Sequence, residues 1–184
     1  MKKIIPLIIL LSLFMLGCSA EKTSSIGSSC ESLQPTEGDI QYALQYGNQL
    51  FQETNWIRSY TVQELDAIVS WTHRSLPAIA DVSLLLFCND RGTDDIDLFY
   101  NDETVRNNFL NYDSADIISS CKKDNTRLYQ LDAMEENINY TIHFWAQPLN
   151  KTRLISVVVV FPKNESTLIE SYSKELFPEL PACP

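Results

Sequence analysis

His73 and His143 are the chain's two histidines, and they are the first candidates for chemistry. A nucleophilic triad would set one of them beside a serine and an acid. The Gly-x-Ser-x-Gly turn that presents such a serine is absent. His143 alternates along an apolar stretch and shares its side with Thr141 and Trp145. His73 ends a stripe of Val69 and Trp71. Both read as surface or strand-rim histidines. Carboxylates are plentiful, notably Asp94, Asp95 and Asp97, and Glu135 with Glu136. Glycoside hydrolysis needs two carboxyls facing each other across a cleft, whereas neighbours in a loop point apart. The acid-rich run Asn89 to Asp97 also fails the EF-hand test. With Gly92 at the turn, Phe87 and Leu98 fall where the first and last ligands belong. A less regular site of oxygen ligands stays open there. There is no glycine-rich phosphate loop. Trp56, Trp71, Trp145, Tyr100, Tyr112 and Tyr129 could line a sugar- or peptide-binding face, but aromatics on strands more often build core.

The stretch that decides where any such chemistry would take place is Met15-Leu16-Gly17-Cys18. Lys2 and Lys3 precede an apolar run from Ile4 to Leu16, and Gly17 supplies a small residue before Cys18. This is the layout of a secretory signal peptide. The run is shorter than the roughly 20 residues of a spanning helix. Leu16-Gly17-Cys18 resembles the lipobox of bacterial lipoproteins, with Met15 where leucine is usual. The resemblance implies cleavage before Cys18, a lipid on its sulfur and usually an acyl chain on its nitrogen. Several acyl chains anchor a protein stably where one holds it only marginally.

Lipidation of Cys18 leaves Cys30, Cys88, Cys121 and Cys183. An even number of cysteines in an oxidising compartment points to two disulfides. Three pairings are open. The favoured one joins Cys30 to Cys183, stapling the domain's ends, and Cys88 to Cys121. A metal site would need closer cysteine spacing, and no metal or other cofactor is expected. Residues 1–17 hold Lys2, Lys3 and no acid, so cleavage takes the formal charge from −10 to −12. Such a domain is repelled by nucleic acid and by anionic headgroups. Membrane contact is therefore assigned to the lipid on Cys18.

Three segments follow: a signal peptide (1–17), a serine-rich lipidated tether (18–34) and a globular domain (35–184). Thr36 can cap a helix with Asp39 three residues on, and Ile40, Ala43, Leu44, Gly47, Leu50 and Phe51 recur at helical spacing to about Glu53. From Trp56 to Trp71 apolar residues alternate, with Trp56, Tyr60 and Val62 on one side. Val82 to Cys88 suits a central strand buried on both faces. Asn101 or Asp102 caps a short helix with Val105, Phe109 and Leu110 inward. Extended segments follow from Ala115, separated by turns at Lys122–Asn125, Glu135–Asn137 and Pro148–Lys151. Leu154 to Phe161 is β-branched enough for a sheet interior. Asn164 can cap a last helix with the stripe Leu168, Ile169, Tyr172, Leu176 and Phe177. The sum is an α+β domain with an antiparallel sheet of six to seven strands and three helices. The leading expectation is a non-catalytic envelope lipoprotein that binds a protein partner or supports assembly, held at the cell membrane or outer membrane. A tethered binder of a small sugar or peptide comes second, and a hydrolase using acids or His143 third.

Overall fold

The computed structural model describes residues 34–62, 66–87 and 100–184. The lipobox with Cys18, the tether, Cys30, Cys88 and the acid-rich run 89–97 lie outside them. No helix among the described residues is long and apolar enough to cross a membrane.

Among the described residues, seven antiparallel strands form one sheet and three α-helices pack on it. In chain order the elements are α1 (Glu37–Gly47), β1 (Trp56–Val62), β2 (Asp66–His73), β3 (Ile79–Leu86), α2 (Asp102–Asn107), β4 (Ser114–Lys123), β5 (Thr126–Glu135), β6 (Ile138–Asn150), β7 (Arg153–Pro162) and α3 (Ser166–Leu176). The spatial order is β1-β2-β3-β7-β6-β5-β4. Two meanders therefore meet at the β3–β7 seam, where Ile79 to Leu86 pair with Val160 to Arg153. The β-branched run of β7 lies at the middle of the sheet, as its composition requires.

The sheet is buried on both faces. One face carries Trp56, Val69, Trp71, Val82, Trp145, Val157 and Phe161, and is covered by α1 and α3. The other carries Tyr129, Leu131, Ile142 and Phe144 under Tyr100, Val105 and Phe109, the last two from α2 and the turn after it. Leu110, expected to point inward with them, is exposed because the helix ends at Asn107.

The first helix begins as its sequence predicts. Thr36 Oγ1 accepts from the Asp39 amide, and Asp39 accepts from the Thr36 amide at 2.8 Å, a reciprocal cap. Asp39 also takes a 2.7 Å ion pair from Arg153 on β7, so the same carboxylate locks the helix to the sheet's central strand. Burial alone would raise its pKa. The bonds from Arg153 and Thr36 outweigh that and hold it below the ordinary range.

At its other end α1 presses Gly47 onto Trp71. A methyl group there would overlap the indole ring, and Trp71 is fully buried and cannot retreat. Gly47→Ala should therefore destabilise the domain by about 1–3 kcal/mol, although alanine is the better helix former. The denaturant midpoint checks this; an unchanged or raised midpoint would mean that α1 does not seat on Trp71.

The last helix departs from expectation at its start. A 3₁₀ turn, Lys163–Glu165, precedes α3, and neither Asn164 nor Glu165 caps it by a side chain. Pro162 closes β7 and leads straight into that tight turn, so the chain reverses before an asparagine cap can form.

Candidate functional site

His143 and most of the aromatic candidates are drawn into the structure's interior, whereas His73 and Glu135 are half-buried and Glu136 is exposed. His143 on β6 is 3% exposed, not at a rim. The reason is α3, which lies over its strand and sets Ser173 within 2.8 Å of His143 Nδ1. That pair has the look of a nucleophile and its base, but the protons run the wrong way. Ser173 Oγ donates to the Ile169 carbonyl at 2.7 Å, so it accepts from His143 Nδ1–H. The other ring nitrogen then accepts from Gln130 Nε2 at 2.9 Å. Gln130 Oε1 in turn accepts from Ser119 Oγ at 2.8 Å and from the Cys183 amide at 3.1 Å. Every polar atom of this line has a partner. It ties β4, β5, β6, α3 and the C-terminal tail together. Burial pulls the His143 pKa down to about 4, so the ring is neutral at ordinary pH.

His73 ends β2, and its Nδ1 accepts from the amides of Leu76 at 3.0 Å and Ser75 at 3.3 Å. It shapes the β2–β3 turn and packs edge-on against Trp56. The aromatic candidates are likewise core. Trp56, Trp71, Trp145 and Tyr129 are fully buried, and Tyr100 nearly so. Tyr129 donates its hydroxyl proton to the Tyr100 carbonyl, which pins the loop before α2.

The disulfide pairing departs from the favoured one: Cys121 is bonded to Cys183. Cys121 is on β4, and the tail after α3 runs back across β6 and β5 to reach it. Trp145 Nε1 donates to the Leu180 carbonyl at 3.0 Å, and Lys123 Nζ to that of Glu179 at 3.0 Å. With the tail held there, the two sulfurs meet at a Cα separation of 5.6 Å. Neither Cys30–Cys183 nor Cys88–Cys121 can coexist with this bond. No group of three or more potential metal ligands occurs among the described residues.

Two buried acids were not singled out by the sequence. Asp66 and Asp81 project from β2 and β3 on the α2 side of the sheet, in a row with Ser70, which stands opposite Asp81. Each has an Oδ1 that is out of reach of solvent and of any hydrogen-bond donor. Burial, reinforced by the Asp81 charge, raises the Asp66 pKa to about 7. Burial raises Asp81 to about 6 against a bond from Ser70. Period-two reading places them on a strand face but cannot say that the face is covered.

The site the structure offers to the outside is an edge. Strand β1 is the sheet's first strand, and after Trp56 every residue of it is exposed. Tyr60 is 67% exposed, Ile57 53% and Val62 47%. Tyr60 and Val62 share the Trp56 side, as their spacing predicts, but α1 packs mainly on β2 and β3 and leaves them exposed. Ile57 and Thr61 are bare on the opposite side. A shallow hollow of about 290 Å³ adjoins the strand, lined by Asn48, Phe51, Gln52, Glu53, Trp56, Arg58 and Trp71.

The opposite edge is built differently. Strand β4 carries Asp116, Lys122 and Lys123, breaks its register between Ile117 and Ser119, and is tied down by the disulfide. Charges and bulges are how edge strands avoid pairing with other chains. Strand β1 pairs with β2 in unbroken register over seven residues and has Arg58 as its one charge. It lacks these protections. Comparison with known proteins adds no guide, for neither a family profile nor any curated protein matches the chain.

Proposed function

We propose that the chain is an exported lipoprotein, cleaved before Cys18 and held at the cell envelope by the lipid on that cysteine. Its folded part, a sheet with helices on both faces in the α+β class, serves as a non-catalytic protein-binding or assembly module. The observation that carries this reading is β1: an apolar edge strand, uncovered on both faces, in a domain whose other edge is guarded. Such an edge binds by strand addition, with backbone bonds giving affinity and alternate side chains giving selectivity. The small-ligand reading has less support. The hollow beside β1 and a second of about 260 Å³ between α1 and α3 are shallow, and the tryptophans that would stack on a sugar are buried. The hydrolase reading loses its histidine to the Ser173–His143–Gln130 line.

The test is site-specific photocrosslinking in intact cells. A photoreactive phenylalanine replaces Tyr60 in one strain and Leu110, equally exposed but away from β1, in another. A discrete protein adduct is expected at position 60 and none at 110. Cys18→Ser should weaken the adduct by an order of magnitude, because anchoring raises the local concentration of partners. Equal labelling at the two positions, or none at 60, would overturn the reading.

A further inference from the structure

We infer that the protein that docks on β1 is a second copy of this chain, joined edge to edge about a two-fold axis through Ser59. The inference rests on the reading of β1 as a protein-binding edge and names its occupant.

The strand's sequence fits its own reverse. Antiparallel pairing centred on Ser59 sets Arg58 opposite Tyr60 of the second copy, Ile57 opposite Thr61, and Trp56 opposite Val62. Directly opposite residues in an antiparallel pair lie on the same face with side chains in contact. On the α1 side, each Tyr60 ring would therefore meet the other copy's Arg58, a cation–π pairing, beside the hollow lined by Asn48, Trp56 and Arg58. On the other side, β-branched Ile57 and Thr61 would meet. The axis itself falls on a small side chain. Both patches would be covered at once, which is what an isologous interface requires.

Charge limits where two copies could meet. The chain is strongly acidic, with 24 acidic against 14 basic residues, so copies repel over most of their surface. Strand β1 is an acid-free seven-residue window in that surface. Each Arg58 also holds a 2.7 Å bond to Asn48 of its own copy, which fixes the guanidinium on the α1 side of the sheet.

The geometry suits two anchored proteins. A two-fold axis perpendicular to the sheet keeps equivalent faces on one side, so both α1 helices lie on the same side of the joined sheet. Each α1 begins just after the tether, and both tethers can reach one membrane. A seven-residue edge is a small interface and pairs weakly in free solution. Confinement to a membrane supplies the effective concentration that such an interface lacks.

Full-length lipidated protein in liposomes tests this, with Cys30 and Cys88 replaced by serine, the Cys121–Cys183 bond kept and one cysteine added at a time under mild oxidation. A cysteine at the axis faces its own copy, so Ser59→Cys should give mostly disulfide-linked dimer. Val62→Cys, opposite Trp56 in the joined strands, should give at least fivefold less. Adding Tyr60→Asp to Ser59→Cys should cut the dimer at least fivefold by setting acids against the joint. Cross-linking that is absent, or equal at positions 59 and 62, would overturn the inference. If position 60 still labels a different protein in cells, the second-copy inference alone fails and β1 keeps its role as a docking edge. If position 60 labels nothing, both fail.

Discussion

Cys183→Ser is expected to lower the domain's stability by about 4 kcal/mol under non-reducing conditions, among the largest effects open to one substitution. The Cys121–Cys183 bond closes a loop with a sequence separation of 62, and a loop of that length restricts the unfolded chain by roughly this amount. The bond also holds the tail in place. Released, the tail loses the shared orientation that lets Leu180 and Glu179 offer their carbonyls to Trp145 and Lys123, and lets the Cys183 amide reach Gln130. Trp145 is fully buried, so its indole N–H cannot turn to water instead. Cys121→Ser should cost the same, and the double variant no more than either single one, since one bond is being removed twice. Guanidinium unfolding of the three variants reads this directly. Additive losses would mean that the two cysteines act separately and are not bonded to each other.

The pairing shows where sequence reading runs out. The cap at Thr36 and Asp39 was legible because its partners are three residues apart, and the φ-positive pair Glu136 and Asn137 was legible as a turn for the same reason. The meander from β4 to β7 follows from short turns between alternating segments. The valines of β7 mark the sheet's middle. The rest depends on which distant segments become neighbours. Arg153 reaches Asp39 across 114 positions, and Cys121 meets Cys183 only because the tail doubles back over β6 and β5. Alternation set His143 on one face of β6 but gave no sign that α3 would cover that face. Conversely, it gave Tyr60 and Val62 the right side of β1 and no sign that α1 would stop short of them. Elements within reach of their own sequence were readable, and coverage of one element by another was not. The proposed edge site belongs to the second kind.

Asp66→Asn should raise stability at pH 8 by about 2 kcal/mol and leave it nearly unchanged at pH 5. An unfolded aspartate gives up its proton near 3.8, whereas folded Asp66 keeps it to about 7. Between those values the folded state binds more protons than the unfolded state, so stability falls as pH rises through 7. The shift corresponds to a penalty of about 4 kcal/mol once the carboxylate is charged. Asparagine removes that penalty but leaves a buried amide without a partner, which returns roughly 2 kcal/mol. His143 works in the opposite direction. Its pKa is held down to about 4, so it contributes fully above 6.5 and less as pH drops toward 4. The domain's optimum is thus squeezed between a neutral histidine that resists acid and a buried carboxyl that resists base. Urea unfolding of both proteins at pH 5 and pH 8 separates these effects. A gain equal at the two pH values would show that the charge is not the cause. A loss at pH 8 would show that the folded protein uses the Asp66 carboxylate, charged, against a cation. Asp66 lies at the end of β2, beside the Val62–Ala67 pair, so the carboxyl that weakens the sheet adjoins the proposed docking edge.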